Sequence, residues 1–185
     1  AEALTALCQE VREALTLLYI LDHEGGGEAV RDLCAHWCTK LWQEVPTLWC
    51  RHHILPLAGK LISLEDPRGV QIASAALTEP GVQPPLRMEA LAVLGTASGD
   101  LTQLAAPSAL ASLTDENPGV RAQAADSLRH MGALEPQVLE EALVTSREDL
   151  WPEVRLSSLN LVDAFDEVPE EAFYEFLVDP DSDVR

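Results

Sequence analysis

Residues 115–128 read DENPGVRAQAADSL, and their order returns along the chain. An acid opens a short turn, Pro118 and Gly119 interrupt it, and an apolar–arginine pair, Val120–Arg121, starts a helix. Leu86–Arg87 stands in the same way inside PPLRMEALAVL from Pro84, Val154–Arg155 inside WPEVRLSSLNLV from Trp151, and Val184–Arg185 in DSDVR. Successive pairs lie 34, 34 and 30 residues apart. A near-constant step of this size predicts a repeat architecture.

Counted from the apolar residue of each pair, positions +4, +5 and +8 are Ala90, Leu91 and Leu94, then Ala124, Ala125 and Leu128, then Ser158, Leu159 and Val162. That spacing puts one apolar stripe on a helix, with small residues where two helix backbones approach closely. Position −5 is Asp115, Asp149 and Asp179 in the later copies and Gly81 in the first. Each of these acids closes a helix-like run such as 110–114 or 173–178. One unit is therefore helix, tight turn, helix. Such a hairpin cannot bury its own stripe and must stack on its neighbours.

The Trp-x-x-Leu-Gly-x-x-Tyr pattern of tetratricopeptide repeats and the Thr-Pro-Leu-His of ankyrin repeats are both missing. An aspartate, a few small or proline residues, Val-Arg and an Ala-rich helix instead resemble HEAT repeats, particularly the short kind of bilin-lyase-like proteins. The resemblance covers residues 84–185 and, more loosely, 56–83. It implies an all-α, armadillo-like superhelix of hairpins stacked in a right-handed sense. It also implies a ladder between units built from Asp115, Asp149 and Asp179 with Arg121, Arg155 and Arg185. On function it is nearly silent.

With 47% hydrophobic and 5% aromatic residues, the 185-residue chain can bury a Leu/Ala-rich helical core. No apolar run approaches the ~20 residues that span a bilayer, and no signal peptide is evident. A cytoplasmic protein is expected. The opening AEALTALC lacks Met and the end falls just as a helix begins at Val184, which reads as a fragment of a longer chain.

Helices are expected over 3–22, 28–44, a third from near 47 that Pro56 kinks or divides before 57–64, then 68–79, 84–95, 101–114, 119–131, 136–146, 152–164 and 168–178. In the second, Val30, Leu33, Trp37 and Leu41 form the inward face. Residues 1–65 hold all four cysteines, lack the clean repeat and read as a divergent cap. Residues 66–185 are the repeats, in one continuous domain.

Cys34, Cys38, Cys50 and His52 are the candidates for a metal. Cys34 and Cys38 share a helix face and the other two can come from a neighbouring helix, a Cys3His set suited to zinc. They are not Cys-x-x-Cys knuckles and they fall inside helices, where a free cysteine is an ordinary small core residue. Packing is the expected role, with no cofactor. His23–Glu24 resembles one of the His-Glu pairs of the di-iron deoxyhypusine hydroxylases, but His36, His52, His53 and His130 lack such partners. No nucleophile elbow or phosphate loop is present.

Charge carries the functional expectation. The formal net is −19, and residues 133–185, with fifteen acids and three arginines, hold −12 of it. This repels phosphate backbones and disfavours nucleic acid, against the basic groove of the HEAT-like DNA glycosylases. It attracts a basic protein. A non-enzymatic scaffold is expected, with Glu140, Glu141, Glu170 and Glu171 steering the partner. Arg87, Gln123 and Ser157 lie on the concave side lined by second helices. The alternative is a bilin-lyase-like or other repeat enzyme, for which His52, His53 and Cys50 are the loose candidates.

Overall fold

The computed structural model describes residues 13, 16, 27–44, 48–168 and 170–185, with the side chains at 48, 49, 171 and 175 outside the description. Of the helix expected over 3–22, only Glu13 and Thr16 fall within the described residues, both helical and exposed. His23–Glu24 and Cys8 lie outside them.

The described residues are all-helical, with no strand. The elements are α1 (Glu28–Glu44), α2 (Leu48–Ser63), α3 (Pro67–Thr78), α4 (Pro84–Leu94), α5 (Asp100–Ala111) with a 3₁₀ turn Ser112–Thr114, α6 (Pro118–His130), α7 (Pro136–Glu148), α8 (Pro152–Val162) and a 3₁₀ helix Glu170–Val178. Proline opens α3, α4, α6, α7 and α8. The first turn of a helix has no carbonyl to receive its N–H groups, so a residue without one costs nothing there.

Packing follows chain order. Paired helices touch, closing the hairpins α1–α2, α3–α4, α5–α6 and α7–α8. The second helices also form a row, α2 on α4 on α6 on α8, and the first helices another, α1 on α3 on α5. Contact with α7 from the first-helix side comes through the 3₁₀ turn Ser112–Thr114. This order is compatible with an α-helical solenoid. The apolar stripe fills the seams: Ala90, Leu91, Leu94, Ala124, Ala125 and Leu128 are all fully buried. At Gly69 of α3 the backbones of α2 and α3 come so close that a Cβ would stand 2.4 Å from the Ala58 carbonyl oxygen and 2.8 Å from the Ile62 nitrogen.

Four details differ from the sequence expectation. Helix α2 runs unbroken through Pro56. That ring lies on the exposed face, where the carbonyl it leaves unpaired can turn to water. In α1 the core face is Cys34, Ala35, Cys38, Leu41 and Trp42, while Leu33 is 47% exposed. The two cysteines thus fill the place expected for the larger side chains. In α8, Leu161 is fully buried and Leu159 only partly so. Residues 112–114 and 170–178 are 3₁₀ rather than α. Near the last elements, Leu150, Trp151, Tyr174, Leu177 and Val178 are exposed.

Candidate functional site: the arginine–acid ladder and the acidic face

The arginine of each repeated pair is the fourth residue of its helix: Arg87 in α4, Arg121 in α6 and Arg155 in α8. A cation there faces the positive end of the helix dipole and needs an acid close by. The acid comes from the next hairpin. Arg121 Nε and Nη2 donate to the two carboxylate oxygens of Asp149 at 2.6 and 2.9 Å. Arg155 does the same to Asp179 at 2.9 and 2.8 Å. Both pairs are bidentate, the geometry in which guanidinium and carboxylate bond most strongly. Arg87 donates to Asp115 through Nη2 alone at 2.8 Å, and its buried Nε makes no hydrogen bond.

Each guanidinium also holds its own turn. Nη1 of Arg121 donates to the Asp115 carbonyl at 2.8 Å, that of Arg155 to the Asp149 carbonyl at 2.9 Å, and that of Arg185 to the Asp179 carbonyl at 2.6 Å. Arg87 reaches the Val82 carbonyl at 2.7 Å. The aspartates work twice as well. Besides the arginine, each accepts the backbone N–H two residues on: Asn117 to Asp115 at 2.8 Å, Trp151 to Asp149 at 3.0 Å and Asp181 to Asp179 at 2.8 Å. Aspartate is short enough to close such a turn.

The electrostatics follow. Burial pushes the Asp149 carboxyl up, but the Arg121 guanidinium and the Trp151 N–H outweigh it and hold the group below its ordinary value. The Arg155 hydrogen bond lowers Asp179 in the same way.

A further rung crosses the boundary expected at residue 66. Arg51, again the fourth residue of its helix, pairs with Glu79, which caps α3 as Asp149 caps α7. Trp42 Nε1 donates to the other Glu79 oxygen at 2.6 Å, and the Arg51 guanidinium lies 4.7 Å above the Trp42 ring. The residue before Arg51 is Cys50, buried like Leu86, Val120, Val154 and Val184. It fills the apolar place of the pair. The signal was present as Arg51–Glu79, Arg87–Asp115 and Arg121–Asp149, all 28 residues apart. It was hidden because Arg51 precedes Arg87 by 36 residues rather than 34 and the acid is a glutamate.

The other candidates are placed as follows. Cys34, Cys38 and Cys50 are buried free thiols, whereas His52 is exposed and its Nδ1 lies 2.6 Å from a Glu89 oxygen. A hydrogen bond to Cys34 and burial push the Cys38 thiol up, and burial raises Cys50, so both favour the neutral form, which is a poor metal ligand and nucleophile. Among the described residues no group of three or more His, Cys, Asp or Glu side chains is arranged to hold a metal ion. Arg87, assigned from sequence to partner binding, is held in the ladder with 13% of its side chain exposed. Gln123 and Ser157 are half-buried, and Gln123 points along its own helix toward Ser127 at 3.4 Å. Glu140 and Glu170 are exposed and Glu141 half-buried, while the Glu171 side chain lies outside the described residues.

Between α5 and α7, where the first helices part, runs an open groove of about 530 Å³. No described helix is long and apolar enough to cross a membrane. Comparison with protein-family models, with curated proteins and with solved structures gives no match to this chain.

Proposed function

We propose that the chain is a HEAT-like, armadillo-type superhelical scaffold that binds a basic protein partner and has no catalytic role of its own. The observation that carries this reading is the division of the acids. Those at the hairpin joins, such as Asp149 and Asp179, are consumed by arginines, while acids such as Glu140, Glu153, Glu167 and Glu170 stay exposed. The ladder stiffens the stack, so the surplus negative charge is presented on a fixed surface rather than a mobile tail. A fixed field of one sign steers an oppositely charged partner and speeds encounter. The free thiols of Cys34, Cys38 and Cys50 suit a reducing compartment, and we place the protein in the cytoplasm.

The test is association with immobilised peptides of equal length and opposite net charge, at low and at high salt. Basic peptides should bind and acidic ones should not, with binding weakened when the screening length falls below about 8 Å. Changing Glu140, Glu141, Glu170 and Glu171 together to Gln should slow the on-rate about threefold at low salt, and less at high salt. Circular dichroism should stay the same. Equal binding of acidic and basic peptides would end this reading.

A further inference from the structure

We infer that the groove between α5 and α7 is the docking site for an amphipathic helix that carries apolar side chains on one stripe and lysine or arginine along its flanks. The inference rests on the basic-partner reading and gives it a location.

The groove exists because the two rows of helices do not open equally. In the second row, α6 packs closely on α8, and Ala124, Ala125 and Leu161 are fully buried. In the first row, α3 and α5 touch, and Ser108 donates to Ser74 at 3.0 Å. From α5 to α7 the bridge is the 3₁₀ turn at the far end, and the helix bodies part. Into that gap α5 presents Ala106, Pro107, Leu110 and Ala111, with Val138 of α7 opposite. Spaced i, i+1, i+4 and i+5, these residues make a shallow apolar floor along one helix face.

Pro107 contributes twice. It is exposed within α5 and can neither donate a hydrogen bond nor project a long side chain, so the floor stays open. Alanine at 106 and 111 does the same by size.

The rim sets the occupant's charge. Glu135 and Glu141 flank the floor from α7, Gln103 and Gln137 are the neutral polar neighbours, and no lysine or arginine lines the groove. Neither glutamate has an ion-pair partner among the described residues, in contrast to the acids of the ladder. An apolar strip edged by unpaired carboxylates complements a helix whose leucine-type stripe enters the gap while its lysines meet the rim, the helix-in-groove mode of recognition. The fit in length is direct: the 12 residues of α5 run about 18 Å, so roughly three turns of a partner helix cover the groove.

Three synthetic 14-residue helical peptides decide the matter against the whole chain: one with leucines on a stripe and lysines on its flanks, one with serine in place of leucine, and one with glutamate in place of lysine. Binding is read by fluorescence anisotropy, and its place by backbone amide shifts. The leucine–lysine peptide should bind best and shift Gln103, Ala111 and Gln137. The serine–lysine peptide should be about tenfold weaker, the size of effect that losing a buried apolar anchor produces. Ala111→Trp should fill the gap and weaken the leucine–lysine peptide about tenfold. Glu135→Lys with Glu141→Lys, both changes at the rim, should reverse the preference between lysine and glutamate peptides and serves if Ala111→Trp alters the fold. Equal affinity for the leucine–lysine and serine–lysine peptides would overturn the groove while leaving a charge-driven basic partner in place. Shifts confined to other helices would also overturn it. Failure of both lysine peptides to bind at low salt would remove the groove and the basic-partner reading together.

Discussion

The Arg51–Glu79 rung and the Arg121–Asp149 rung join neighbouring hairpins at equivalent places with different atoms. In the later rung the acid is short, buried to 8% side-chain exposure, bonded through both oxygens to arginine and tied to its own turn through the Trp151 N–H. In the earlier one the acid is longer and 35% exposed, and its second oxygen goes to Trp42 rather than to its own turn. The Glu79–Arg87 stretch is two residues longer than Asp115–Arg121 or Asp149–Arg155. Glutamate's longer side chain reaches both Arg51 and Trp42, and the Trp42 face takes up part of the guanidinium's charge. What the pair of rungs teaches is that the join is specified by where the charges meet, while the turn chemistry can be supplied elsewhere.

The largest expected effect separates these two designs. Arg121→Ala strands a nearly buried carboxylate and should cost about 3 kcal/mol in denaturant melts, toward the low end for a broken buried pair because both partners keep some exposure. Arg51→Ala should cost less, about 1–2 kcal/mol, because Glu79 can rehydrate. Arg147→Ala, on an exposed helix end outside the ladder, should stay within about 0.5 kcal/mol. A cost at Arg51 equal to or above that at Arg121 would break the comparison.

Next in size is the seam beside the earlier rung. Gly69→Ala forces a methyl against the backbone of α2 and should cost about 2 kcal/mol. Gly119→Ala meets only the tips of Asn117 and Met88, at 3.2 Å, and should change stability by no more than about 0.5 kcal/mol.

Acid should then act on the later rungs. Asp149 and Asp179 have folded-state values held below the ordinary 3.8. Their ionised forms therefore stabilise the fold at pH above 3.8, and that contribution is lost as pH falls through the lower folded values. Asp149→Asn should be less stable than the parent at neutral pH, with the difference shrinking below pH 3.8. A constant difference across that range would mean that the carboxylate charge is not what the rung uses.

A small effect is also expected at the cysteine that was grouped with the metal-ligand candidates. Cys50→Val places at this pair the residue found at Val120 and Val154, and should shift stability by no more than about 1 kcal/mol. A chelator should leave the melting temperature of the parent unchanged, and a chelator-sensitive melt would return Cys50 to a metal site.

The later repeats were legible from sequence because their pairs keep one step and one acid. Val120–Arg121 and Val154–Arg155 announce both the helix start and the stripe behind it. The earlier repeat was not legible for three separable reasons. Its apolar residue is Cys50, its acid is Glu79, and the two added loop residues put Gly81 at the position where an aspartate was sought. Arg87 was read as a binding residue because an arginine in a sequence carries no sign of whether a distant carboxylate will claim it. The groove between α5 and α7 left no trace in periodicity. Ala106, Ala111 and Val138 are small or apolar helix residues like many others in the sequence, and only the divergence of two helix bodies makes them a floor.

Every rung points the same way along the chain, with guanidinium from the earlier hairpin and carboxylate from the later one. Each hairpin therefore has a donor flank and an acceptor flank, and its length in sequence is set by what restores both. Excising residues 121–154 joins Val120 to Arg155 and leaves a complete pair, with Arg155 meeting the Asp115 carbonyl on one side and the Asp179 carboxylate on the other. A cut one residue longer or shorter leaves an aspartate facing the wrong side chain. Such a chain keeps its joins when it is shortened or extended in whole units, the way a zip is altered by whole teeth.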